Sequence, residues 1–316
     1  MSFSSDTKKA LSEELPVKEC CKKAFLMGLL TYSGTFSREK IKLITEIKPA
    51  ADAVTGLLSE LYGIESNLYV SERKNSREDE DSAEPVNSYK ITVSDKKQIA
   101  KMSSDLPRSQ ISLYRINRDL IDTGCEKCRS YYLRGAFVGS GTVSRPESSF
   151  HLEISTSFKN LASDTVQLCS ETGIEPRLTV RGSSYVIYYK KSSDIADFLA
   201  YIGANSAGFD YINESILREN RGLANRAVNC DTANIKKTVS AAAEVMSAIE
   251  YLRDNGLLDK LPEDVRKTAS LRYDNPQASL SELSEMSMPK LTKSGMNHRL
   301  KRIVEFADKY KRGITV

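Results

Sequence analysis

Leu133-Arg-Gly-Ala-Phe-Val-Gly-Ser-Gly141 decides the fold, because the chain has written a variant of it once before. Leu26-Met-Gly-Leu-Leu-Thr-Tyr-Ser-Gly34 carries Leu, Gly, Ser and Gly at the same four places. The likeness runs outward in both directions. Upstream, Glu19, Cys21, Lys22 and Phe25 match Glu126, Cys128, Arg129 and Tyr132. Downstream, Gly63-Ile-Glu-Ser-Asn-Leu-Tyr-Val70 echoes Gly173-Ile-Glu-Pro-Arg-Leu-Thr-Val180, and Ile91 through Ala100 echoes Ile187 through Ala196. Two copies of about a hundred residues imply a duplicated domain with a pseudo-twofold axis.

The paired nonapeptide resembles the signature of LAGLIDADG homing endonucleases. On that pattern Leu26 and Leu133 open the motif, Gly28 and Gly135 stand third, and Gly34 and Gly141 close it. The physical use of such a motif is close helix packing, since glycine lets one backbone approach another. Leu29, Leu30, Ala136 and Phe137 then fill the cores. In active members of that family the eighth position is a carboxylate that holds a metal ion over the scissile phosphate, a hard oxygen ligand for a hard cation. Here both eighth positions are serine, Ser33 and Ser140. A neutral hydroxyl does not replace that charge, so the nuclease reading fails in both halves and no catalytic residue is assigned.

Composition bounds the rest. A chain of 316 residues holds two or three domains with real cores. Lys and Arg number 46 against 42 acidic residues, a mild surplus that by itself says little about partners. No apolar run approaches the roughly 18 residues of a membrane span. Met1-Ser-Phe-Ser-Ser-Asp-Thr-Lys-Lys9 lacks the apolar core of a signal peptide. The expectation is a cytoplasmic protein with reduced cysteines and no membrane partner.

Taken in order, residues 5–15 read as a short amphipathic helix and residues 18–31 as the first motif helix. Lys42 to Ile47 reads as strand. A helix then starts at Pro49 and ends at Gly63, with Ala53, Leu57, Leu58 and Leu61 on its apolar face. Leu68 and Val70 alternate as strand. Residues 71–87 are nearly all polar, rich in Glu and Asp, and read as a solvated hairpin tip or mobile loop that would repel phosphate. Tyr89, Ile91 and Val93 resume the sheet, and a helix follows from Asp95. The second copy repeats the order. Its motif helix covers 128–139, strand alternation falls at 151–156, a helix runs from Phe158 to Thr172, strands fall at 176–181 and 184–190, and a helix carries Ile195, Phe198 and Leu199. The fold class is therefore α+β, with the order α-β-β-α-β-β-α twice, as the endonuclease resemblance also implies.

Past Gly203 the pattern is all-helical. Residues 205–220 read as a connecting helix or loop and 221–237 as a polar, basic stretch. Ile235, Val239, Ala242, Met246 and Ile249 then recur at helical steps up to Asn255-Gly256. Pro262, Glu263 and Asp264 open a helix whose face is read as Val265, Ala269 and Tyr273. Ser279-Leu-Ser-Glu282 is a capping box. Pro289 bars continuation, and a last helix begins near Thr292 or Lys293 and buries Met296, Leu300, Ile303 and Ala307. A short helix, a tight break and a longer basic helix read as helix-turn-helix. From Pro289 to Val316 there are eight Lys or Arg against two acidic residues, so the basic surplus is concentrated at one end. That distribution argues for phosphate contact.

Beyond the motif pair, Ser2-Phe-Ser-Ser5, Leu133-Arg-Gly-Ala-Phe137, Asp194-Ile-Ala-Asp-Phe-Leu199 with Ile202-Gly-Ala204, Asn225-Arg226, Asn229-Cys230, Ala233-Asn234 and Ser294-Gly-Met-Asn-His-Arg-Leu300 carry a fuller resemblance. The chain resembles the WhiA-type regulators of sporulation and cell division over nearly its whole length. That family is similar to a homing endonuclease that lost cleavage and gained a helix-turn-helix resembling the promoter-reading region of sigma factors. The resemblance implies a non-enzymatic DNA-binding protein, a nucleoid-associated transcriptional regulator linked to cell division, chromosome segregation and sporulation. Its domains would be an N-terminal helix at 1–17, a duplicated endonuclease-like domain at 18–205 (repeats about 18–105 and 125–205), a helical linker at 206–260, and a helix-turn-helix domain at 261–316 with its core at 279–308. Double-stranded DNA, at promoter or chromosomal sites, is the partner implied. RNA polymerase or another transcription regulator is the further partner to weigh, and a metal-dependent endonuclease is the competing activity.

If Met296, Leu300, Ile303 and Ala307 face inward, Lys293, Ser294, Asn297, His298, Lys301 and Arg302 face outward, with Arg299 at the border. Recognition helices read bases through their N-terminal residues. Ser294, Asn297 and His298 are therefore assigned to base edges, Asn297 being suited to bidentate reading of adenine. Lys290, Lys293, Arg299, Lys301 and Arg302 are assigned to phosphates. Cys125-Glu-Lys-Cys128 has the spacing of a redox or zinc pair, and a zinc site needs two more ligands. Cys20-Cys21, at the matching place in the other repeat, are the obvious candidates, but adjacent cysteines rarely chelate well and the chain has only two histidines. The reading is of buried free thiols, with no metal and no cofactor.

Overall fold

The computed structural model describes residues 2–37, 39–73, 86–102, 105 and 114–312. They fall into two compact units, Met1–Glu219 and Asn220–Val316.

The first unit opens with α1 (Phe3–Glu13). It starts two residues earlier than the apolar pattern suggests, because the Ser2 hydroxyl accepts the Ser5 amide at 3.2 Å and caps the helix. The first repeat then runs α2 (Glu19–Tyr32), β1 (Gly34–Phe36), β2 (Ile41–Thr45), α3 (Lys48–Tyr62), β3 (Asn67–Arg73), β4 (Val86–Val93) and α4 (Lys96–Ala100). Pro49 lies in the first turn of α3, and Gly63 closes that helix at φ 59°, the left-handed conformation that glycine adopts without a side-chain clash. A short helix α5 (Arg118–Ile121) leads into the second repeat: α6 (Cys128–Ser140), β5 (Gly141–Val143), β6 (Leu152–Thr156), α7 (Lys159–Ser170), β7 (Arg177–Arg181), β8 (Ser184–Tyr189) and α8 (Ser192–Tyr201).

Each repeat builds one four-stranded antiparallel sheet, in the orders β1-β2-β4-β3 and β5-β6-β8-β7. The identical orders make the duplication visible in topology as well as in sequence. Alternation sets the faces: Ile41, Leu43, Ile91 and Val93 go into the core while Lys42 and Lys90 point away. The three-residue strands β1 and β5, too short to show a period, supply the strand after each motif helix that the expected order required but no residues located. Both ends of the acidic run belong to a hairpin, the first of its two readings. Ser71 pairs with Ser88, Glu72 with Asn87 and Arg73 with Val86 on extended β3 and β4; residues 74–85 of that run lie outside the described residues.

The core is organised by α2 against α6, which run side by side in the same direction. A β-carbon on Gly28 would run into the carbonyl oxygen of Tyr132, and one on Gly135 into that of Phe25. Phe25 and Tyr132 are themselves matching residues of the repeat, so the contact is reciprocal. One turn further on the pairing becomes unequal. The large, buried Tyr32 lies against Gly139, whose β-carbon would stand 3.1 Å from that of Tyr32. The Tyr32 hydroxyl reaches the Thr165 hydroxyl in α7.

A single helix, α9 (Asn205–Asp254), replaces the connecting segment, the polar stretch and the later helix expected from sequence. No proline interrupts it, and residues with no core to face still satisfy their own backbone in a helix. The expected apolar stripe is half right. Ile249 is buried, but Ile235 and Val239 are 63% and 61% exposed, and the second core instead takes Val245, Ala248, Ile249 and Leu252. The stretch 206–260 therefore does more than link.

That second unit continues with α10 (Glu263–Asp274), α11 (Leu280–Met286) and α12 (Lys293–Lys311). Met296, Leu300, Ile303 and Ala307 are all buried in α12, as their spacing predicts. On α10 the inward face is Val265, Thr268, Ala269 and Arg272, whereas Tyr273 is 37% exposed. Tyr273 sits one residue beyond the i, i+3, i+4, i+7 stripe, and the Arg272 guanidinium turns in to donate to the Ala278 carbonyl.

Candidate nucleic-acid interface

Two places could meet DNA: the ends of α2 and α6, where a homing endonuclease would cut, and the α11–α12 pair. At the first, Ser33 and Ser140 have their hydroxyls engaged. Ser33 donates to the Leu29 carbonyl at 2.5 Å, and Ser140 donates to the Ser155 carbonyl at 2.7 Å. Ser33 braces its own helix, and Ser140 ties the end of α6 to β6. Neither serine brings a negative charge to this end of the helix pair, and each hydroxyl proton is already given to a backbone carbonyl.

The α11–α12 pair is built with care for its ends. Ser279 and Glu282 form both halves of the capping box: the Ser279 amide donates to Glu282 Oε2 at 2.7 Å, and the Glu282 amide to Ser279 Oγ at 3.3 Å. The Ser279 amide, then its hydroxyl, hold the Glu282 carboxyl below the usual carboxylate range. The turn is tied by buried Ser287, whose hydroxyl donates to the Ser284 carbonyl at 2.7 Å and accepts the Leu291 amide at 3.0 Å. Thr292 caps α12 by accepting the Gly295 amide at 3.1 Å. Sequence reading found the box and the breaker but not Ser287, whose serine looks like any turn residue.

The outward face of α12 is as expected in all but one position. Lys293, Ser294, Asn297, His298, Lys301 and Arg302 are exposed, and so is Lys290 before the helix. Among the described residues, Lys290, Lys293, Lys301 and Arg302 make no ion pair within the chain. Arg299 differs. Its Nε stands 3.4 Å from Asp264 Oδ2 and its Nη1 donates to the Asp264 carbonyl at 3.3 Å, so it ties α12 to the start of α10. That intramolecular partner competes with the phosphate contact assigned to Arg299 at the border of the helix wheel.

Asn297 and Lys301 also line a groove of about 580 Å³ within this unit, together with Ala241, Ala242 and Val245 of α9. Among the described residues, no helix is long and apolar enough to cross a membrane. The thiols are not uniformly buried: Cys21, Cys128 and Cys169 are, Cys20 and Cys125 are half-buried, and Cys230 is exposed.

Known proteins share this arrangement from end to end. A sequence model of the WhiA N-terminal LAGLIDADG-like domain matches residues 19–101, one of the WhiA LAGLIDADG-like domain matches 129–221, and one of the WhiA C-terminal HTH domain matches 224–307. The chain is 35% identical to the "Probable cell division protein WhiA" of Desulforamulus reducens, covering 99% of this chain and 97% of that protein. It is 36% identical to the protein of the same name from Bacillus cytotoxicus, covering 100% and 99%. Among solved structures, full-length DUF199/WhiA from Thermatoga maritima superposes with a TM-score of 0.57 at 23% identity, over 98% of this chain and 99% of that one. That likeness concerns the fold.

Proposed function

Because the chain belongs to the WhiA family, we propose that it is a DNA-binding transcriptional regulator without enzymatic activity, acting in cell division, chromosome segregation and sporulation-type development. The observation that carries the reading is the unpaired basic face of α12, presented by a capped helix-turn-helix. The named relatives support a role in cell division. The serines at both nuclease positions support the absence of cleavage. Binding to chromosomal DNA makes the protein cytoplasmic and nucleoid-associated.

In this reading Ser294, Asn297 and His298 meet base edges, while Lys290, Lys293, Lys301 and Arg302 sit on phosphates. Genome-wide crosslinking of the tagged full chain tests it, with a Lys301→Ala/Arg302→Ala variant in parallel. Discrete occupied sites that the variant loses are expected. Equal recovery of all sequences by both proteins would overturn it. Incubation of supercoiled DNA with magnesium or manganese separates the competing nuclease activity, and no nicked product is expected.

A second reading has its own observation. The groove of about 580 Å³ beside Asn297 and Lys301 mixes apolar residues such as Ala241, Val245 and Leu300 with charged Lys237, Glu244 and Glu305, a lining that a protein segment could meet. A helix-turn-helix that docks RNA polymerase or another regulator would use it. Salt separates the two, because binding through several phosphates weakens steeply as salt rises.

A further inference from the structure

Cys20 and Cys21 lie in the first turn of α2, Cys128 is the first residue of α6, and Cys125 stands one turn before it. Because α2 and α6 run side by side, both N-terminal ends arrive at the same place. All four sulfurs lie within 4.8 Å of one another. Cys21 Sγ is 3.6 Å from Cys125 Sγ and 3.9 Å from Cys128 Sγ.

Those spacings discriminate between the possible fates of four thiols. A disulfide needs about 2.05 Å between sulfurs. An iron–sulfur cluster divides its four cysteines among two or four irons, so its cysteine sulfurs do not all gather round one point as this group does. Four sulfurs each about 2.3 Å from one ion, at tetrahedral angles, stand about 3.8 Å apart. The observed distances match the last case.

The surroundings match it as well. The Thr123 hydroxyl lies 3.4 Å from Cys128 Sγ, the kind of outer hydrogen bond that orients a metal-bound thiolate. Two helix N-termini place positive ends of backbone dipoles toward what would be four negative sulfurs. A cavity of about 410 Å³, lined by Glu19, Cys20, Lys23 and Thr123 among others, gives an ion a way in. The objection that adjacent cysteines chelate poorly does not hold here, since Cys20 and Cys21 both deliver their sulfurs to the group.

We propose that Cys20, Cys21, Cys125 and Cys128 bind one zinc ion, which fastens the first repeat to the second at the base of the central helix pair. A tetrahedral all-thiolate set takes zinc or iron among the common divalent ions, and the test below separates the two. No position in it is left open, so the role is structural. The ion bridges residues 104 and 107 positions apart, and its binding free energy adds to that of folding.

The test uses the full chain, purified without a histidine tag under reducing conditions. Elemental analysis and native mass spectrometry should find one zinc per chain. Cobalt substitution should give the thiolate charge-transfer band and the intense visible bands of a tetrahedral sulfur site. Cys20→Ser and Cys125→Ser should each lose the metal, and the exposed Cys230→Ser should keep it. Chelator should lower the melting temperature of the wild type but not of Cys125→Ser. The proposal fails if the wild type carries neither zinc nor a cobalt band. It fails also if Cys20→Ser and Cys125→Ser retain metal as well as the wild type, or if the bound metal is iron. The cobalt and mass measurements on the wild type decide the matter even where a variant does not fold.

Discussion

Gly28 and Gly135 each hold the other helix's main chain where a side chain would be, Gly28 against the Tyr132 carbonyl and Gly135 against that of Phe25. The space is occupied by backbone, which cannot rotate out of the way. Gly28→Ala and Gly135→Ala should each cost about 3 kcal/mol, the upper range for overpacking a core. Gly56, exposed on α3 with open space around it, is the control. Gly56→Ala should stabilise by about 0.5–1 kcal/mol through helix propensity alone. Urea denaturation of the three variants checks both signs.

Arg134 offers a second test. Its Nη1 donates to the Glu14 carbonyl at 2.8 Å and its Nε to the Ile202 carbonyl at 2.6 Å, the C-terminal caps of α1 and α8. One buried guanidinium thus finishes two helices, and Gly203 is bare because a β-carbon there would strike it. Arg134→Met leaves both carbonyls without that donor and should cost about 3 kcal/mol. Arg134→Lys should recover part of this. Equal stability of Arg134→Met and wild type by chemical denaturation would contradict the assignment.

On α12 the prediction is a separation of effects. Asn297→Ala should relax preference at one base pair by about 1–3 kcal/mol. Arg302→Ala should weaken binding to all sequences and lower the salt slope by about one. Arg299→Ala should act mainly on the melting temperature, because its partner is Asp264. Fluorescence anisotropy across a salt series, beside thermal unfolding, distinguishes the three.

The capping box makes a pH prediction. The Glu282 carboxyl is held below its ordinary value of 4.5 in the folded protein. Its stabilising effect is therefore present above the unfolded pKa and is lost as pH falls through the folded one. Glu282→Gln keeps an acceptor at this position of the box and removes the charge. The melting temperature of the wild type should fall relative to Glu282→Gln as pH drops from 5 toward 3. Parallel curves for the two proteins would show that the box does not titrate.

Which features were legible follows from the physics of each. The buried stripe of α12 could be read because it faces a core at helical spacing and begins at a threonine cap. The length of α9 could not, since Ile235 and Val239 look like core residues and are exposed. Arg272 was passed over because a charged residue at a stripe position reads as a break in the stripe, yet its guanidinium folds back onto the Ala278 carbonyl. The cysteine group was nearly legible. The repeat alignment already places Cys21 opposite Cys128, and a pseudo-twofold axis brings matching residues together. What sequence could not supply was the parallel course of α2 and α6, which carries Cys20 and Cys125 to the same spot.

Tyr32 against Gly139 decides which half pairs with which. The two positions are equivalent in the repeat, yet one is among the larger residues and the other has no side chain. Two copies of the first half, brought together the same way, would press one tyrosine against another. Two copies of the second would leave a hole where that ring belongs. Only the unlike pair fills the space. A duplicated domain whose halves could each mate with themselves would be prone to pair like with like between molecules, and this one mismatch makes every half prefer an unlike one, which the connecting chain keeps close at hand.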